Sequence, residues 1–483
     1  MIHTLPARSA IAFIGALVLA SCAVNPATGR RQLMLVSEGQ EIAMGREADP
    51  QIIASFGLYP DSGLQQYVRG LGTRLAGVSE RPDLPWTFRL LDDPTVNAFA
   101  LPGGFNYVTR GIMAYFNSEA ELVAVMGHEI GHVTARHSAQ QMTQQQLAGV
   151  GLVAGMILVP DLQDYAGAAV AGLQLMFLRF SRDDEREADD LGFRYMLRVG
   201  YDPREMPKVF AMLDRVSQAS GAGRVPGWLS THPDPADREG RIAQRVAALP
   251  NQDFSALAVN RDVYLRRIDG MVFGNNPREG YFRGNTFIHP ELAFWIDFPD
   301  DWRTLNQKQA VLGQAPDQDA MVELTLAEGS DPAAAARAFA AQEGVSAGAP
   351  RTGAVNGLTA STVTFTATTE QTSLEGLAMF VRLGDNVFRL LGYAPRSRWA
   401  SYQGAILESF GTFDRLTDRD ALNVQPWHLD VVQSDRSQTL AEFYARQDSP
   451  ASLDEIALIN QMDPQTALQR GQLVKTVVGR PLP

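Results

Sequence analysis

One cysteine, Cys22, stands in 483 residues. No internal disulfide can form, which excludes a disulfide-stapled fold. Basic tracts are missing as well: 42 Lys and Arg face 54 Asp and Glu, a net charge of -12. Such a chain offers a polyanion nothing to hold, so nucleic acid is excluded as a partner and an acidic, soluble surface is expected. Long apolar runs are also absent. The candidates are Ala10–Ala20, 147–159 and 165–178, and none reaches the roughly 20 residues that a helix needs to cross a bilayer. There is no long repeat and no low-complexity tract. A length prior of roughly 100–200 residues per domain suggests about three domains, each able to bury its own core.

The N-terminus does contain Arg8, then the apolar run Ala10–Ala20, then small residues. That is the layout of a secretory signal over residues 1–21. Its end, "LASC" (Leu19 to Cys22), resembles the lipobox at which bacteria attach lipid to a cysteine and cleave just before it. A lipid on Cys22 explains both the solitary cysteine and its presence in an exported protein, where a free thiol would be an oxidation liability. Ala23, not Asp, follows it, which resembles lipoproteins sorted to the outer membrane. The expectation is a periplasmic protein, lipid-anchored to the outer membrane.

Residues 38–78 carry helical spacing, with Ile42, Met44, Ile52, Ile53, Leu64, Val68, Leu71 and Leu75 apolar among polar neighbours. From 86 to 113 the chain turns β-branched and aromatic, broken by Asp-Asp-Pro and Pro-Gly-Gly, the signature of short antiparallel strands. Asn97, Ala98, Phe99 and Ala100 read there as an edge strand, to which an extended peptide can add with little regard to its side chains. Helical period returns after Ser118, whose spacing to Glu121 marks a capping box. The runs 147–159 and 165–178 read as small-residue helices packed on that helix. Another helix follows from Ser181 as N-cap to Gly200 and Pro203 as its stop. More helix extends to about residue 270, and 274–280 ("GNNPREG") reads as a linker. Beyond it, alternating strand patterns around a helical "DPAAAARAFAAQEG" predict an α+β sandwich over 281–415. The last segment suggests a strand, two helices and a strand.

The helix after Ser118 carries "HEIGH" (128 to 132). Residues four apart on a helix lie about 40° apart around its axis, so His128 and His132 can grip one ion. Glu129, about 100° round from His128, falls beside the ion, where it can take a proton from an attacking water. Two imidazoles with room for a third protein ligand suit zinc. Gly127 and Gly131 each cost the helix roughly 1 kcal/mol against alanine, which implies that another chain segment comes close. "SRDDEREAD" (181 to 189) offers Glu185 and Asp189 one turn apart, suited to a ligand plus a carboxylate that receives an imidazole N–H. Asp183, Asp184, Glu187 and Asp190 crowd the same turns, and spacing alone does not choose Glu185. On a continued helix His137 lies about 140° beyond His132 and is expected to face away. His289 and His428, in strand-like segments, read as polar surface or satisfied core.

The segments "NAFALPGGFNYVTRGIM", "SEAELVAVMGHEIGHVTARH", "SRDDEREADDLG" and "STHPDPADREGRI", in this order, resemble the M48 family of zinc metallopeptidases, its periplasmic branch in particular, over roughly residues 25–265. The resemblance implies one Zn2+ per chain held by His128, His132 and Glu185, Glu129 as catalytic base, and Asp189 in support. It also implies that His232, in "STHP", can approach the zinc and close the site.

Residues 424–479 resemble a LysM module, although "RSQTL" stands where the module has a Gly-Asp-Thr-Leu stretch. The expected fold is therefore α+β. A zincin-type, mainly helical metallopeptidase domain with a small β-sheet (22–270) precedes the α+β sandwich (281–415), which carries no cluster of catalytic residues and reads as docking or regulatory. A small LysM-like βααβ domain (424–479) follows. The expected function is zinc-dependent endoproteolysis of unfolded or misassembled proteins in the bacterial cell envelope. Further partners would be the outer membrane, through the lipid, and peptidoglycan or assembly machinery, through the C-terminal domains. The alternative is a chaperone-like or peptidoglycan-binding lipoprotein with little proteolytic activity.

Overall fold

A computed structural model describes residues 22–149, 175–176, 178–219, 227–232, 235–249, 253–368, 373–480 and 482. The secretory signal expected over 1–21 lies outside the described residues, as do all but the edges of the two small-residue runs. The chain is mixed α and β, and it divides into two compact units, 1–274 with 428–478, and 275–427 with 479–483.

The first unit is built around the helix Glu119–Ala135, hereafter the active-site helix, all of whose residues are buried. Ser118 caps its start by accepting from Glu121 N, while the Glu121 carboxylate accepts from Asn117 N at 2.9 Å. It ends at Ala135 because Arg136 adopts φ 61°, a left-handed conformation from which a right-handed helix cannot continue. Beside it lies a three-stranded sheet with Phe105–Thr109 at its centre. Ala98–Leu101 joins this strand antiparallel through a turn in which Gly103 and Gly104 take φ 81° and 101°. Thr87–Leu91 runs parallel on the other side. An all-antiparallel set was expected. The loop after Leu91 instead carries the chain across to the far edge before the hairpin forms, so the first strand meets the third in the same direction. Ile52, Leu91, Phe99, Leu101, Phe105 and Tyr107 form the core between this sheet and the helix Glu38–Phe56.

The helix Arg182–Arg198, hereafter the carboxylate helix, starts in a capping box of Ser181 and Asp184. It packs on the active-site helix where both chains are bare of side chains. A Cβ on Gly127 would sit 3.2 Å from Gly192 Cα, and one on Gly131 would sit 2.9 Å from the Ala188 carbonyl oxygen. Gly192 is tight in turn against His128 N. This is the close approach that the helix glycines implied.

Residues 428–478, read from sequence within a separate C-terminal domain, fold into this same unit. The strands Trp427–Gln433 and Leu473–Val478 pair antiparallel, with helices Leu440–Tyr444 and Leu453–Ile459 between them in sequence. Val272–Phe273 adds to the same sheet. Gly270, at φ 78°, donates to Leu429 O, and Leu429 N donates to Met271 O, a bulge that sets Met271 opposite Leu429. Buried Lys475 donates to Ala114 O and Phe116 O, each at 2.7 Å, just ahead of the active-site helix. Gln461 donates to Glu121 at 2.7 Å and Asn117 donates to Ile459 O. Burial pushes the Glu121 carboxyl up to about 7 and drives Lys475 well below its usual range.

The second unit has an eight-stranded sheet and a four-stranded one. In its strand Ser373–Leu383 alternation sends Ala378 and Phe380 into a core with the helix Pro332–Ala340, and Leu377, Met379 and Val381 into the opposite core with Phe294, Phe388, Ile406 and Phe410. Among the described residues, no helix is long and apolar enough to cross a membrane.

Candidate active site

The two histidines one turn apart on the active-site helix bring their Nε2 atoms to 3.0 Å. The carboxylate helix delivers Glu185 between them, with Oε2 3.4 Å from His128 Nε2 and Oε1 3.5 Å from His132 Nε2. His232 follows the short helix Gly227–Thr231, hereafter the cover helix, and places Nδ1 2.8 Å from Glu185 Oε1 and 3.3 Å from His128 Nε2. One donor atom from each of these four buried residues lies within 4.8 Å of all the others. Zinc bonds of about 2.0–2.1 Å in a tetrahedron imply ligand-to-ligand edges of roughly 3.3 Å, close to the separations seen. Charge fits too. Three buried carboxylates, Glu129, Glu185 and Asp189, face a single buried guanidinium, Arg238. That leaves room for a dication.

The remaining groups surround this quartet. His128 Nδ1 lies 3.0 Å from Asp189 Oδ1, so the carboxylate expected to back an imidazole is beside one. Glu129 Oε1 accepts from Trp228 Nε1 at 3.1 Å and lies 3.6 Å from His232 Nε2. Burial opposes a proton on His128, as does Arg238, yet Asp189 and Glu185 hold its pKa up to about 9. Burial alone would raise Glu185, but His232 and Arg238 hold it well below the carboxylate range, and Asp189 is held low by Arg238 and His128 against its own burial. Both carboxylates therefore stay ionised and ready for a cation.

Ala98, Phe99 and Asn97 are buried and Ala100 partly so. Phe99 stacks on Tyr107 at 4.8 Å. The strand Ala98–Leu101, which starts just after Asn97, is an edge among the described residues, pairing with Phe105–Thr109 only. The cover helix abuts its N-terminal end, where Trp228 N donates to Val96 O at 3.3 Å and a Cβ on Gly227 would meet the Asn97 side chain. Cys22 opens a hairpin of Cys22–Val24 with Arg31–Leu33, and Asn25 in its turn donates to Glu187 on the carboxylate helix at 3.2 Å.

The sequence passes over Trp228 and Arg238 and misplaces His137. Arg238 donates to both oxygens of Asp189, at 2.6 and 3.0 Å, approaches Glu185 Oε2 at 2.9 Å, and stacks over Trp228 and Phe210. One signal could have found it: an arginine one turn before Ile242, on the buried stripe of the helix Pro235–Ala247. His137 does not face away. The left-handed Arg136 ends the helix and resets its phase, and His137 Nδ1 comes to 2.8 Å from His132 Nδ1. His289 is half-buried, and its Nδ1 accepts from Leu292 N at 3.2 Å.

A buried helix presenting two histidines and a glutamate, faced by a carboxylate from a second helix, has the donor set and spacing of a zinc site. Residues 62–246 match Peptidase family M48. It is 34% identical over 247 residues to the Beta-barrel assembly-enhancing protease of Escherichia coli (strain K12), covering 49% of this chain and 50% of that protein. Identity to the protein of the same name from Yersinia pestis is 36% over 212 residues, covering 42% and 43%. Identity to Mitochondrial metalloendopeptidase OMA1 of Arabidopsis thaliana is 35% over 195 residues, covering 40% and 37%. The chain spans half or less of the length of these curated relatives.

Proposed function

We propose that this chain is a zinc-dependent endopeptidase that cleaves unfolded or misassembled proteins of the bacterial envelope. The observation that carries the proposal is the buried quartet His128, His132, Glu185 and His232 with Glu129 at its edge. His128, His132 and Glu185 hold the zinc. Zinc, when bound, supplies a Lewis acid that activates water and polarises a peptide carbonyl. Glu129 accepts a proton from the attacking water at a carboxylate oxygen and passes it to the leaving amine. Asp189 receives the His128 N–H and keeps that ring turned inward, while Arg238 fixes the Asp189 and Glu185 carboxylates in place. An extended substrate adds along the edge of Asn97–Ala100, held mainly through its backbone.

In the arrangement seen, His232 fills the fourth donor position and Trp228 hydrogen-bonds the base. We assign the cover helix as a closure that has to move before a peptide is cut. The same observation favours a second reading, a chaperone-like lipoprotein with little proteolytic activity. The finer fold readings belong to this proposal: a zincin-type catalytic region, and a LysM-like βααβ arrangement supported by the order of strands and helices between 427 and 478. So do a lipid on Cys22, a periplasmic site at the outer membrane, and peptidoglycan or assembly-machinery contacts.

The test is cleavage of casein by the purified protein. Activity lost to a chelator and restored by about one equivalent of zinc supports the endopeptidase. Full activity in chelator overturns it, and inactivity under every metal load leaves the second reading.

A further inference from the structure

The two imidazoles on the active-site helix are backed differently. The outer nitrogen of His128 faces Asp189, but that of His132 faces another imidazole, His137 Nδ1, at 2.8 Å. Two ring nitrogens at that distance share one hydrogen, one donating and the other accepting. The direction follows from the surroundings. His132 Nε2 points at His128 Nε2 and Glu185, so a ligand role needs its lone pair there and its hydrogen on Nδ1. His137 Nδ1 must then accept, and His137 must carry its own hydrogen on Nε2. That atom is buried without a hydrogen-bond partner, 3.7 Å from Asp184 Oδ1 and 3.8 Å from Glu187 Oε2, where two carboxylates favour an N–H over a lone pair. Both carboxylates are themselves oriented. Asp184 Oδ2 accepts from Ser181 N and Oγ, and Glu187 Oε1 accepts from Asn25. Phe180, stacked on the His132 ring at 4.0 Å, fixes its plane.

We infer that His137 is a positioning residue for zinc: it accepts the hydrogen of His132 Nδ1 and so keeps His132 in the tautomer whose Nε2 can ligate. This rests on the metallopeptidase reading above.

The experiment uses the full chain as wild type, His137→Leu and His137→Gln. Zinc affinity is measured by competition with a chromophoric chelator, melting temperature on the zinc-free forms, and the protonated ring nitrogen of His132 by long-range 1H–15N spectra. His137→Leu should bind zinc roughly 10–100-fold more weakly with an unchanged zinc-free melting temperature. His137→Gln, whose side-chain oxygen can accept the same hydrogen, should recover to within a few-fold. Zinc-loaded wild type should show the hydrogen on His132 Nδ1. Unchanged affinity in His137→Leu overturns the inference. So do a glutamine variant no better than leucine, a zinc-free melting temperature that falls in step with affinity, or a hydrogen on His132 Nε2, all with wild-type zinc binding intact. A wild type that binds no zinc would overturn the metallopeptidase reading first.

Discussion

Glu129 and Glu185 are both buried carboxylates of one centre, and the roles proposed for them differ enough that their loss should look different. Glu129→Gln should keep zinc at the wild-type level and lose roughly 10² to 10⁴ in rate, the usual cost of removing a general base. Glu185→Ala should lose the metal itself. Zinc content and casein cleavage on both dialysed variants check this, and wild-type cleavage by Glu129→Gln removes that residue from the chemistry. His289, in the second unit, supplies a pH dependence. Burial holds its pKa down to about 4, and its ring stacks on Phe294 at 5.5 Å. Between that value and the ordinary 6.5 the unfolded state binds more protons than the folded one. The stability tied to this neutral ring is therefore complete above 6.5 and falls as pH drops toward 4, by up to about 3 kcal/mol. His289→Gln should flatten that part of the pH profile of second-unit unfolding, measured by denaturant melts between those pH values.

At the scale of elements, the site depends on how closely two helices approach. Gly131→Val would drive a branched side chain into the Ala188 backbone. Strain of this kind typically costs about 1–3 kcal/mol, and the displacement should carry Glu185 away from the histidines. The expected result is a lower melting temperature together with weaker zinc binding. The cover helix makes the opposite kind of prediction. His232→Ala should raise basal cleavage several-fold with zinc content intact, because two histidines and Glu185 still hold the ion; a loss of zinc would instead make His232 a permanent ligand. What could be read in advance follows from the same geometry. His128, Glu129 and His132 stood out because one helical period relates them, whereas period left Glu185 and Asp189 among Asp183, Asp184, Glu187 and Asp190, and only the family resemblance singled that pair out. The relation between the two helices was not legible, since it lives in backbone contact through glycines. His137 was misplaced because a single left-handed residue, Arg136, reset the helical phase. Arg238 was missed because its partners Asp189 and Glu185 lie about fifty residues earlier on a different helix, and period within one helix says nothing of its neighbours. The parallel strand pair was missed for a similar reason: alternation reports which face is buried and carries no direction.

At the scale of the molecule, the first unit is assembled from two stretches far apart in sequence, 1–274 and 428–478. Lys475, Gln461 and Asn117 tie the last strands and helices to the start of the active-site helix, so a truncation before residue 428 removes part of that helix's support. Between Gly274 and His428 the chain leaves this unit to build the other and then returns. Departure and return are neighbours, because Met271 sits opposite Leu429 in one sheet. Apart from residues 479–483, the second unit is thus an insertion with abutting seams, of the kind tolerated at surface loops. A bridge of about six residues, at roughly 3.3–3.6 Å each, suffices to rejoin the cut ends. A chain with residues 275–427 excised and Gly274 joined to His428 by such a bridge should fold cooperatively and bind one zinc, as circular dichroism melts and metal analysis can establish. The insert then becomes a cassette, open to being swapped, tagged or deleted at two neighbouring points of one host sheet.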